Sequence, residues 1–78
     1  MLFRSLVQGS MTVNQFEAKF AELSRFATYM VYDEVRRVRK FEQGLIPSIR
    51  KMVVGHRLQT YAEVVERALI IEQDNAIF

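Results

Sequence analysis

Seven of the eleven basic side chains in this 78-residue chain fall between positions 36 and 57, with one acid, Glu42, among them. They are Arg36, Arg37, Arg39, Lys40, Arg50, Lys51 and Arg57. The stretch carries +6, while residues 1–35 carry −1 and residues 58–78 carry −3, so a net charge of +2 hides a basic middle between acidic flanks. Cations so grouped can neutralise phosphates, binding a polyanion without sequence preference and with steep salt dependence. The plainer reading is a solvated helix face. Asp33 and Arg37 form an i,i+4 pair on it worth only about 0.3–0.5 kcal/mol. Arg36 and Lys40 are like charges one turn apart, a small cost that points to a use elsewhere. The aromatic interleaving of an RNA-stacking module is absent, so RNA is expected as a weak, non-specific partner at most.

Other reactive chemistry has little to stand on. His56 is the one histidine and cysteine is absent, which leaves no second soft ligand for a metal and no thiol chemistry. No Ser/His/Asp set, paired acids or glycine-rich phosphate loop appears, so no catalytic role and no cofactor is expected. His56 follows a helix-ending glycine and could cap that helix or touch a phosphate. No apolar run reaches the length that spans a bilayer, and Met1-Leu2-Phe3 before Arg4 is too short for a signal peptide, so a cytoplasmic setting is expected.

The elements that must position these residues are helical. Thr12 and Gln15 have the spacing of a capping box, with Met11 and Phe16 placed as a hydrophobic staple. Behind them Val13, Phe16, Phe20, Leu23, Ala27 and Met30 recur at intervals of three and four, predicting a helix over 13–29 with one buried face. Asp33 is placed to cap a helix over 34–43 whose Val35, Val38 and Phe41 face inward, with Gly44 as the C-cap glycine. Pro47 suits the first turn of a helix over 47–54, carrying Ile49, Met52 and Val53 and stopping at Gly55. Thr60 and Glu63 form a second capping box, opening a helix over 61–74 with Tyr61, Val64, Val65, Ala68, Leu69 and Ile71 on its apolar face. A short helix over residues 2–7, cut off by the Gln8-Gly9 turn, comes first. The expectation is one all-α domain, a compact bundle of four to five helices.

Such a chain buries only about 60–65% of its unfolded surface, so its core is thin. Half its residues are hydrophobic, which favours a partner surface. Tyr29, Met30, Val31 and Tyr32 are four large apolar residues in a helix-to-helix connection. Met30 and Val31 are expected to pack inward, leaving Tyr29, Tyr32 or Val35 for contact.

Phe3, Leu6, Gln8, Gly9, Met11, Thr12, Val13, Phe16, Phe20 and Leu23 together resemble a phrase in the capsid region of Gag from gypsy-like LTR retrotransposons. Ser24-Arg25-Phe26-Ala27, then Phe41-Glu42-Gln43-Gly44-Leu45 with Pro47, Ile49 and Arg50, continue the resemblance. Thr60-Tyr61-Ala62-Glu63 and Ala68-Leu69-Ile70-Ile71-Glu72 complete it, in the same order along nearly the whole chain. The first block also resembles a shortened retroviral major homology region, in which a glutamine, an acid at the helix start and a basic residue tie a turn to a helix by buried hydrogen bonds. Position by position, Gln8 and Gly9 match the opening pair, Thr12 stands where the acid would be, and Lys19 precedes Phe20 as an arginine precedes its aromatic. The spacing here is one residue shorter, and threonine cannot pair ionically with Lys19, so capping and packing carry over and the salt bridge does not.

The resemblance implies a capsid C-terminal lobe, excised from a longer Gag, that associates with copies of itself and so helps to enclose the element's RNA in a particle. It places the contact on the helix starting near Asp33, through Tyr29, Tyr32, Val35, Arg36 and Arg39. A symmetric pairing of two such basic faces would repel; a head-to-tail contact with the acidic 63–74 helix would not, and both geometries are open. The alternatives are a domesticated Gag-derived adaptor that binds a host peptide, or a small RNA-binding helical domain.

Overall fold

The computed structural model describes residues 6–26 and 33–77, with side chains to residue 75. Four helices run through them: α1 (Val13–Phe26), α2 (Glu34–Gly44), α3 (Pro47–Gly55) and α4 (Tyr61–Ile77). The described residues contain no strand, so the protein is all-α. The last helix packs against each of the other three and is the spine of the bundle.

The helix starts follow from their residues. The Thr12 N–H donates to Gln15 Oε1 (2.9 Å) and the Gln15 N–H donates to Thr12 Oγ1 (3.1 Å), a reciprocal clasp on two groups the first turn would leave unpaired. Asp33 is extended at φ −124° and its carboxylate accepts the Arg36 N–H at 2.8 Å, capping α2. Pro47 opens α3, where a missing N–H costs nothing. At α4 the Glu63 N–H donates to Thr60 Oγ1 (3.3 Å), but the Glu63 carboxylate accepts a hydrogen bond from the Thr60 hydroxyl (2.8 Å) where a full box would accept the backbone N–H.

Four rings form the centre of the core. Phe16 stacks on Phe41 with centroids 4.9 Å apart, Phe20 meets Phe41 edge-on at 5.4 Å, and Tyr61 closes the group at 5.7 Å from Phe20 and 5.2 Å from Phe41. Such pairs contribute about 0.5–1.5 kcal/mol each beyond their buried area. Val13, Val38, Leu45, Ile49, Val53, Val64, Ala68 and Ile71 surround them, with Met11, Leu23, Val65 and Leu69 partly buried at the margin.

Several expectations are corrected. Leu6 and Val7 are not helical, and the rest of the proposed 2–7 helix lies outside the described residues. The described part of α1 ends at Phe26; the 27–29 extension, together with Ala27, Tyr29, Met30, Val31 and Tyr32, also lies outside. Val35 and Met52 do not face inward: they are 49% and 54% exposed. Val35 opens its stripe in the first turn of α2, and Met52 lies about 60° around the helix from buried Ile49, outside the covered face. Gly44 is not the C-cap; it is the last residue of α2, and Leu45 caps it. Its lack of a side chain serves a close approach, because a Cβ there would run into the Phe16 ring and lie 3.1 Å from the Leu6 carbonyl oxygen. The left-handed residue after α3 is Arg57 (φ 51°), and Gly55 keeps a helical place.

Candidate functional site

Gln8 lies in the turn before α1 and is 2% exposed. Gly9 beside it takes φ +53°, which glycine adopts without strain. Four hydrogen bonds hold Gln8 in place, one of them from the Met11 N–H to the Gln8 carbonyl at 2.8 Å. Its N–H donates to the Gly44 carbonyl (2.8 Å), its Nε2 donates to the Met11 carbonyl (3.0 Å), and its Oε1 accepts the Ile46 N–H (3.1 Å). One buried amide thus ties the turn to the junction of α2 and α3 and supplies a partner to Ile46, the N-cap residue of α3, whose side chain makes no cap hydrogen bond.

The start of α1 receives a carboxylate from far along the chain. The Val13 N–H donates to Glu72 Oε2 at 2.9 Å, across 59 residues. An acid at a helix N-terminus faces unpaired N–H groups and the positive end of the macrodipole. Glu72 thus brings a carboxylate to a helix start whose own first turn has none. The start of α4 is served likewise, with the Tyr61 N–H donating to Glu34 Oε2 at 2.7 Å. Sequence reasoning missed both, because neither carboxylate is near its helix start in the chain. Lys19 is exposed beside a cleft of about 400 Å3 along α1, with Met11, Gln15, Ala18 and Glu22.

The basic residues separate into different environments. Arg36, not Arg37, pairs with Asp33, at 3.5 Å. Arg37 instead lays its guanidinium over the Tyr61 ring, 3.9 Å from the centroid, and its buried Nε has no hydrogen-bond partner. The i,i+4 pair expected from spacing loses to this cation–π contact, which a half-buried guanidinium favours. The Tyr61 hydroxyl donates to Glu17 Oε2 (3.1 Å); burial and then the Glu17 charge hold its pKa well above the usual tyrosine value, with Arg37 opposing. Arg37 is thereby part of the core margin and leaves the polyanion group. Lys40 is half-buried, and Lys51 is exposed.

Arg39, Arg50 and Arg57 do come together, in a groove of about 540 Å3 that Glu42, Gln43, Val54 and Gln59 also line. Arg39 Nη1 donates to Glu42 Oε1 at 3.1 Å, while Glu42 Oε2 is buried without a partner. Arg50 reaches only the Gln43 carbonyl, at 3.5 Å. The groove can hold anionic groups such as carboxylates or phosphates. His56 is exposed at the end of α3, where its N–H donates to the Val53 carbonyl (3.0 Å). Among the described residues, no group of three or more His, Cys, Asp or Glu side chains could hold a metal, and no helix is long and apolar enough to cross a membrane.

The expected contact surface is only partly visible. Val35, Arg36 and Arg39 are exposed on α2, whereas Tyr29 and Tyr32 lie outside the described residues. Phe26, 77% exposed, is the last described residue of α1. No family model, characterised protein or solved structure matches the chain.

Proposed function

We propose that this protein is a structural capsid lobe, similar to the C-terminal lobe of Gag from gypsy-like LTR retrotransposons, which associates with copies of itself. In a full Gag chain that association would join neighbouring subunits of a cytoplasmic particle and support packaging of the element's RNA only indirectly. The observation that carries the reading is the Gln8 clamp: a buried glutamine at the place where the homology-region phrase puts one, bonded across the turn to Met11 and Ile46. Glu72 at the start of α1 supports it, since an acid reaches that helix end although Thr12 occupies the motif position.

Exposed apolar side chains are consistent with an association role. Val7, Phe26, Val35, Met52, Val54 and Ile70 are all more than 40% exposed on a domain with a thin core. Each contact can be weak, because many copies on one particle raise the effective concentration for the next contact. Sedimentation equilibrium over a wide concentration range tests the proposal. The average mass should climb from 9.2 kDa towards multiples of it. A strict monomer at every concentration would overturn the capsid reading and favour an adaptor that binds a different partner.

A further inference from the structure

We propose that the groove of Arg39, Arg50 and Arg57 is one half of a contact between copies of this chain, whose other half is the Glu66–Ile70–Asp74 ridge of α4 on a second copy. The inference rests on the self-association reading and assigns it an interface.

The groove carries three guanidiniums and one carboxylate. Arg39 is committed to Glu42, which leaves the charges of Arg50 and Arg57 for a ligand. Val54 adds an apolar side chain, 47% exposed, to the lining. On α4, Glu66, Ile70 and Asp74 are all exposed and lie one turn apart along one face. Ile70, 42% exposed, is thus flanked by a carboxylate on either side, about 12 Å apart along the axis. Two cations without a carboxylate partner beside an exposed valine would thus meet two anions without a cation partner beside an exposed isoleucine. Among the described residues, the Arg57 guanidinium and the Glu66 and Asp74 carboxylates have no ion-pair or hydrogen-bond partner.

Arg57 also occupies a left-handed backbone conformation, φ 51°, that favours glycine. A side chain kept there against the backbone preference places a cation at the groove rim. Single-stranded nucleic acid fits less well, because the lining has no aromatic ring on which a base could stack.

Charge reversal tests the contact, at exposed positions that leave the core alone. The groove variant Arg50→Glu/Arg57→Glu and the ridge variant Glu66→Lys/Asp74→Lys should each weaken self-association by at least about tenfold in sedimentation equilibrium. An equimolar mixture of the two should regain it, since the intact groove of one meets the intact ridge of the other. Arg57→Gly should raise the unfolding temperature while weakening association roughly threefold, opposite directions that a purely structural arginine would not give. Association unchanged in both variants, or a mixture that stays dissociated, overturns the assignment. So does a groove variant that associates normally but no longer binds an oligoribonucleotide at low salt, which makes the groove an RNA surface. If the variants associate like the wild type, this contact fails and the capsid reading stands; if the wild type itself is monomeric, both fail.

Discussion

The turns before α1 and α4 look alike in sequence and differ in what they hold. Each has a glutamine ahead of a threonine-capped helix, Gln8 before Thr12 and Gln59 before Thr60. Each helix start also donates an N–H to a carboxylate from elsewhere, Val13 to Glu72 and Tyr61 to Glu34. Yet Gln8 is buried and bridges two other segments, whereas Gln59 is exposed and only touches the Arg57 carbonyl, at 3.4 Å. A glutamine ahead of a threonine cap can thus be a local device at one helix start and part of the tertiary framework at another. Burial of the polar group decides which, because an unmatched donor or acceptor costs most where water cannot replace its partner.

Replacing the two glutamines breaks the comparison most sharply. Gln8→Leu leaves the Ile46 N–H and the Met11 carbonyl without partners, about 2–4 kcal/mol in all. In so small a domain that is a fall of at least about 10 °C in thermal unfolding followed by circular dichroism. Gln59→Leu should stay within about 0.5 kcal/mol of the wild type. Equal losses at the two sites would show that burial is not what separates them.

The glycines sharpen the same contrast with a smaller effect. The Gly44 carbonyl accepts the Gln8 N–H and its Cα lies close against Phe16, so Gly44→Ala must displace a ring and costs about 1–3 kcal/mol. Gly55 has open space around it and no left-handed φ, so Gly55→Ala should be neutral or gain about 0.5 kcal/mol from helix propensity. Chemical denaturation midpoints of the two variants should move in opposite directions, or Gly55 not at all. The remote carboxylates give the smallest difference. Glu72→Gln and Glu34→Gln each remove a charge from a helix start and should cost about 1 kcal/mol or less by the same measurement. Glu72 should be the more expensive of the two, because Glu34 is the more exposed.

The local half of this structure was legible. Thr12 with Gln15, Asp33, Pro47 and Thr60 announce helix starts through contacts within four residues, and all four helices begin where those residues place them. The buried positions Val13, Phe16, Phe20, Val38, Phe41, Ile49, Val53 and Val64 likewise follow from a 3.6-residue period. What escaped depends on distance. Glu72 and Glu34 act across 59 and 27 residues, and no spacing rule links a carboxylate to an amide so far away. Arg37 left its expected partner because the Tyr61 ring, 24 positions on, lies beneath it in the folded chain. Gly44 carried the letter of a C-cap, and the Phe16 ring that makes glycine necessary there belongs to another helix. The candidate site was legible in part: a basic group was evident, but which three arginines share a groove is decided by how α2 meets α3 and the turn after it.

The bond from Val13 to Glu72 also bears on synthesis. A ribosome adds roughly 5–20 residues each second, so the first helix is made seconds before the acid that completes its opening turn. Tyr61, the fourth ring of the core, likewise emerges late. A nascent chain that has passed only the basic segment therefore exposes its arginines on an unfinished fold, and under the proposed contact the acidic helix that completes the fold would also bring the ridge. Folding and competence to assemble would then arrive together, and a growing polypeptide would be spared premature clustering.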